Sequence, residues 1–126
     1  MKLAVGAFFV LHGLVHLLWF VVLWRITTVD GVPYSTTVLA HRIDVGDTGI
    51  RVVGLLWLVA TLGWVAAGLG LIFLVPWWQG LTIAVALFSS ALCILGLPEA
   101  KYGLLINLIV IALLFLGGRF QWLPRV

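Results

Sequence analysis

Four long apolar runs divide the chain. They extend from Leu3 to Trp24, from Ile50 to Val75, from Leu81 to Leu97 and from Tyr102 to Gly118. Arg25 closes the first, Pro76 the second and Pro98 the third. Each run reaches roughly the 17-residue lower limit for a helix crossing a hydrocarbon core about 30 Å thick. With two short turns and one longer connection, the pattern predicts an all-α fold: a transmembrane antiparallel four-helix bundle forming a single domain over residues 1–126.

Within the runs, small residues predict the packing faces. Gly54, Thr61 and Gly68 recur every seven residues on the second helix, with Gly63 and Ala67 as a further small pair. Thr82, Ala86, Ser89, Cys93 and Gly96 share one stripe of the third. Such stripes let helix backbones approach closely in lipid. On the first helix, Val5, Phe8, His12, His16, Trp19 and Leu23 are the expected inner face. Val10, Leu14, Val15, Val21 and Val22 are then directed at lipid or flanking helices. Trp77-Trp78 in the second connection and Trp122 in the tail read as interfacial anchors.

Residues 26–49 are the only sizeable polar segment. Thr27-Thr28-Val29 and Thr36-Thr37-Val38-Leu39 are β-prone, and Asp30-Gly31-Val32-Pro33 is a turn signal between them. This predicts a short extended cap after the first helix. Asp47 or Thr48 is the expected N-cap of the next helix.

Composition narrows the class. Of 126 residues, 64% are hydrophobic and 9% charged, against about 25% charged in soluble domains. The lipid bilayer is the first partner implied. A net charge of +3 without a basic cluster excludes nucleic acid. One cysteine, Cys93, excludes an internal disulfide or a C-x-x-C redox pair. Four crossings put both termini on one side. Lys2, Arg119 and Arg125 lie there without an acid, which favours the cytoplasmic face of a plasma membrane. The opposite face collects Arg42, Asp44, Asp47, Arg51, Glu99 and Lys101. These read as caps and surface ion pairs, or as a charged lid over the bundle mouth.

The candidate chemistry lies in His12 and His16, which share one helix face and have Trp19 a turn beyond. Polar side chains inside a span point to a functional site. At about 1.5 Å of rise per residue, Thr61, Ser89, Ser90 and Asn107 fall in the same slab as the two rings. Three uses remain open. The histidines can be hydrogen-bond glue between helices in a structural subunit, with a membrane-protein partner or a second copy. They can line a polar midplane pocket for a quinone- or lipid-like ligand in a non-catalytic or accessory protein, the reading taken first. They can serve a small redox-linked membrane enzyme. Two histidines alone supply too few ligands for zinc. One turn apart, they cannot flank a haem iron. No nucleophile elbow accompanies the serines. The site set is therefore non-metal and, in the first reading, non-catalytic.

The chain resembles the DoxX-like group of small four-span prokaryotic membrane proteins. The resemblance is carried by His12-Gly13-Leu14-Val15-His16, by Asp44-Val45-Gly46-Asp47 leading into Gly54-Leu55-Leu56-Trp57-Leu58, by Ser89-Ser90, and by Ala100-Lys101-Tyr102-Gly103 before Asn107. It implies a membrane subunit with a quinone or lipid-like ligand, since named members of the wider group resemble membrane subunits of quinone-linked sulfur oxidation. The chain has no cysteine pair, cofactor motif or soluble catalytic domain through which to carry that activity over.

Overall fold

The computed structural model describes residues 2–120, with backbone alone for 118–120. The anchor expected at Trp122 lies outside the described residues. Four helices dominate: α1 (Lys2–Leu23), α2 (Gly46–Ile72), α3 (Trp78–Leu95) and α4 (Lys101–Phe120). The first three are long and apolar enough to cross a membrane, and α4 is apolar over Lys101–Gly117.

Glycines set the closest approach, between α1 and α2. A methyl on Gly68 would sit 2.5 Å from the Gly6 carbonyl oxygen, and one on Gly6 2.8 Å from the Gly68 oxygen. A methyl on Gly13 would meet the Trp64 Cβ at 2.8 Å and the Thr61 oxygen at 3.0 Å. At the far end, Gly54 lies under Leu23 and Trp24. The seven-residue series on α2 therefore faces a matching pair, Gly6 and Gly13, on α1. The contact order rises on one helix as it falls on the other, so the two run in opposite directions. Gly63 against Val85 and Gly70 against Trp77 and Trp78 do the same for α2 and α3. Gly96 against Ala100 and Gly103 against Cys93 do so for α3 and α4.

This close approach turns α1 slightly from the expected face. Gly6, Phe9, His12, Gly13, His16, Val22 and Leu23 are buried. Phe8, expected inside, is 43% exposed, while Val22 is 3% exposed. The two backbone-to-backbone glycines must face α2, and they carry Phe9 inward in place of Phe8. Leu14 and Val15 point outward. Trp78 is buried too, so the tryptophan pair divides, with only Trp77 exposed.

Side chains fill the interior in two apolar layers. Phe9, Trp64, Leu71, Trp78, Val85 and Leu114 belong to one. Leu23, Val38, Ile50, Trp57, Leu92 and Ala100 belong to the other.

The cap is ordered, but its pairing differs from the expected one. Strand β1 (Thr37–Val38) pairs antiparallel with β2 (Ile43–Asp44), Thr37 opposite Asp44 and Val38 opposite Ile43. Residues 29–32 form only a turn with a Val29–Val32 bridge. The reversal moves to Leu39, Ala40 and His41, all left-handed at φ 55°, 57° and 66°. Two of these residues cap α3: the Leu39 N–H donates to the Leu95 carbonyl (2.9 Å) and the Ala40 N–H to the Leu97 carbonyl (3.1 Å). Carbonyls past a helix end need such partners, and they draw the hairpin forward along the chain.

Helix α1 closes with Arg25 left-handed at φ 55° and the Ile26 N–H bonded back to the Val21 carbonyl (2.8 Å). That is the geometry of a helix-terminating turn. The turn carries Arg25 to Asp47, 3.0 Å away, with Tyr34 hydrogen-bonded to both. Asp47 therefore does not cap α2. The helix starts at Gly46 without a side-chain cap, and Asp44 accepts the Gly46 N–H (2.9 Å).

Candidate functional site

His12 and His16 lie between the two apolar layers, 5% and 2% exposed. His12 Nε2 meets Asn107 Oδ1 at 2.7 Å, and Asn107 Nδ2 donates to Ser89 Oγ at 2.8 Å. Ser89 Oγ hydrogen-bonds His16 Nε2. His16 Nδ1 lies 2.7 Å from the His12 carbonyl oxygen. The four groups thus close a ring that joins α1, α3 and α4.

The proton positions follow from donor and acceptor capacity. A carbonyl only accepts, so His16 Nδ1 carries its proton and Nε2 accepts from the Ser89 hydroxyl. The amide oxygen of Asn107 also only accepts, so His12 donates from Nε2. The ring closes in one direction with one proton on each imidazole.

Helix α2 contributes aromatic walls. His12 packs edge-on against Trp64 at 4.8 Å between centroids, and His16 lies tilted at 55° against Trp57 at 5.3 Å. The two imidazoles stand edge-to-face at 4.6 Å. Asn107 also points at Cys93, 3.7 Å from its sulfur. Among the described residues, the buried indole N–H groups of Trp64 and Trp78 find no hydrogen-bond partner.

Of the seven residues expected at the site, the structure brings four into the ring: His12, His16, Ser89 and Asn107. Thr61 and Ser90 stay out of it. Their hydroxyls donate to carbonyls one turn back on their own helices, Trp57 (3.0 Å) and Ala86 (2.7 Å). This local bond satisfies a hydroxyl without an interhelical partner. Trp19 stacks on Trp57, 4.9 Å between centroids and 11° between planes.

That stacked pair lines a cavity of about 30 Å³ between the cap and the ends of α1, α2 and α3. Leu23, Val53 and Leu95 are apolar wall residues, while Ser35, Thr37, His41 and Glu99 supply polar groups. The space is therefore displaced from the histidine ring toward the cap. Such a volume admits one or two water-sized groups.

The six loop-face residues do not assemble into one lid. Asp47 pairs with Arg25, and Glu99 lies 3.5 Å from His41. The Arg51 guanidinium lies over the Trp24 ring and the Lys101 ammonium over Tyr102. Asp44 is held by the Gly46 amide and the Thr36 hydroxyl, which lower its pKa from the ordinary 3.8. The Arg42 amide bonds back to Val38 and Leu39 within the cap turn. Separate local partners thus disperse the charges of Asp44, Asp47, Arg51, Glu99 and Lys101.

Set against family models, curated proteins and solved structures, the chain matches none.

The site's chemistry thus rests on its own geometry. Among the described residues, no three histidine, cysteine, aspartate or glutamate side chains converge as metal ligands. The residues missed from sequence are Ser35, Thr37 and His41 around the cavity, together with Trp57 and Trp64. The i, i+4 spacing of Thr37 and His41 was a signal, although a β-prone segment gives no reason to apply a helical spacing.

Proposed function

We propose that the chain is a four-span plasma-membrane protein of non-catalytic or accessory role, holding the polar head of a lipid- or quinone-like ligand. The cavity under the cap carries this reading. It combines a flat aromatic wall, Trp19 on Trp57, with polar groups from the cap and the α3–α4 turn. Ligand sites commonly join apolar walls to a few placed polar groups. The apolar length of α4 supports a fourth crossing, and the resemblance to DoxX-like proteins points to the same ligand class. The histidine ring in this reading fastens the helices beneath the cavity.

A second reading makes the chain a structural subunit of a membrane complex, with the ring as fastening alone. The closed ring favours it, because its groups satisfy one another.

Mass spectrometry of the protein purified in mild detergent separates the two. The first reading expects a stoichiometric lipid or quinone that is lost in Trp19→Ala while the fold survives. A ligand-free protein that also binds neither added short-chain quinones nor hydroquinones would leave the structural reading.

A further inference from the structure

The space beneath the cap is too small for the head group of a quinone or lipid. About 30 Å³ admits one or two water-sized groups, whereas ligand pockets measure roughly 300–1,000 Å³. A wall must therefore move to admit the ligand. The helices are fixed to one another: Gly54 holds α2 directly under Leu23 and Trp24 of α1, and His16 on α1 bonds Ser89 on α3. The cap supplies the remaining wall, through Pro33, Ser35, Thr37, Val38 and His41.

The cap is built as a strap. Among residues 26–45 only Val38 is buried. The strap runs between two left-handed residues, Arg25 (φ 55°) and Gly46 (φ 72°). The Arg25–Asp47 pair at 3.0 Å, with the Tyr34 hydroxyl bonded to both, holds its two ends side by side. Away from these ends, the strap is fastened by the Val38 side chain and at its reversal. There Leu39 and Ala40 donate to the Leu95 and Leu97 carbonyls, and Glu99 lies 3.5 Å from His41. Leu39, Ala40 and His41 are left-handed, a conformation disfavoured for any residue with a Cβ. Lifting the strap releases them, which offsets part of the two bonds lost. Segments with few buried contacts open locally at low free energy, and residues at element ends serve as hinges. We infer that the cap is a lid, hinged at Arg25 and Gly46 and latched to the end of α3, which lifts to enlarge the cavity for the ligand's head. This rests on the ligand site proposed above.

Leu39→Cys/Leu95→Cys, in a chain with Cys93→Ala, tests the latch. The two residues share a backbone bond and their side chains pack on the same apolar layer, so a disulfide between them would pin the lid. The probe is a decyl-substituted quinone, bound at equilibrium to the full chain in phosphatidylcholine nanodiscs, with empty nanodiscs as the blank. Oxidation should weaken binding by at least about tenfold, because it removes the open population, and reduction should restore it. Equal binding by the oxidised and reduced forms would overturn the lid and leave the ligand site standing. Absence of binding by the unsubstituted chain would remove the inference together with the ligand site. Amide exchange of the unsubstituted chain tests the motion without a ligand or a disulfide. The Leu39 and Ala40 bonds to α3 should open more readily than the bond from the Val45 N–H to the Thr36 carbonyl (2.9 Å), which lies inside the cap. Exchange at Val45 as fast as at Leu39 and Ala40, each corrected for its intrinsic rate, would show a cap that frays instead of lifting and would overturn the inference.

Discussion

His12 on α1 and Asn107 on α4 hydrogen-bond at 2.7 Å, although 95 residues separate them in sequence. The bond matters because α4 otherwise packs chiefly on α3. Removing Asn107 unsatisfies His12 Nε2 and takes one donor from Ser89.

Asn107→Leu should therefore destabilise the protein by about 1–3 kcal/mol, the range for leaving a buried polar group unpaired. The double variant His12→Leu/Asn107→Leu should be less unstable than the sum of the singles. Membrane hydrogen bonds average a coupling of only about 0.6 kcal/mol, with a maximum near 1.7. Unfolding of the four proteins in one detergent gives the cycle, and strict additivity would show that the contact contributes nothing.

Part of this ring was legible in the sequence. Counting residues along the spans placed His12, His16, Ser89 and Asn107 at similar depth, and an intramembrane polar group must find a partner or water. The same count admitted Thr61 and Ser90, because depth does not reveal whether a hydroxyl bonds to its own helix. It also gave no hint that the cavity would open near the cap, since that depends on how the cap folds over α1–α3.

The glycine contacts separate two equally small residues. A methyl added at Gly68 meets the Gly6 carbonyl at 2.5 Å, whereas one at Gly80 meets nothing within 4 Å. Gly68→Ala should cost about 1–3 kcal/mol through forced separation of α1 and α2. Gly80→Ala should be neutral or stabilising by up to about 1 kcal/mol, since alanine is the better helix former. Parallel melting curves check the contrast, and equal effects would refute the backbone contact.

The four helices were readable because apolar runs and two prolines mark them plainly. The α2 series Gly54, Thr61 and Gly68 was readable as a packing face. Its partner was overlooked although Gly6 and Gly13 have the same seven-residue spacing, because the histidines drew the expected α1 face toward Phe8. The cap's register was not legible: Leu39, Ala40 and His41 carry no glycine to mark a left-handed reversal.

That reversal yields its own test. Ala40 has φ 57°, where a Cβ costs about 1–2 kcal/mol. Glycine removes this cost but gives back about 0.4–1 kcal/mol through greater freedom of the unfolded chain. Ala40→Gly should thus stabilise the cap slightly, and Ala40→Val should weaken it. Amide exchange at Leu39 and Arg42 would report both, and slower exchange in the valine variant would contradict the left-handed turn.

Acid should loosen the start of α2. The Gly46 amide and the Thr36 hydroxyl lower the Asp44 pKa from 3.8. A carboxylate with a depressed folded value contributes its stability above the ordinary value and loses it as pH falls through the folded one. Exchange at Gly46, corrected for the intrinsic rate, should be unchanged from neutral pH down to about 4 and rise below 3.8. Asp44→Asn should flatten the profile. A rise at neutral pH would assign the loosening to another group.

The topology can be tested at the chain ends. Successive helices run in opposite directions, and four crossings would return the chain to the side on which it began. Lys2, Arg119 and Arg125 then share a face free of acids, while Arg25, Arg42, Arg51 and Lys101 share theirs with all four acidic residues. Lysine and arginine numbers nearly balance, so retention of the termini inside would depend on the basic residues left without acids near the span ends. Fluorescent and phosphatase reporters fused to either terminus should both report the cytoplasm, and a reporter in the cap segment the outside. Termini on opposite sides would remove α4 as a crossing. Both termini outside would reverse the orientation and put the cap cavity on the cytoplasmic face, open to ligands from that side.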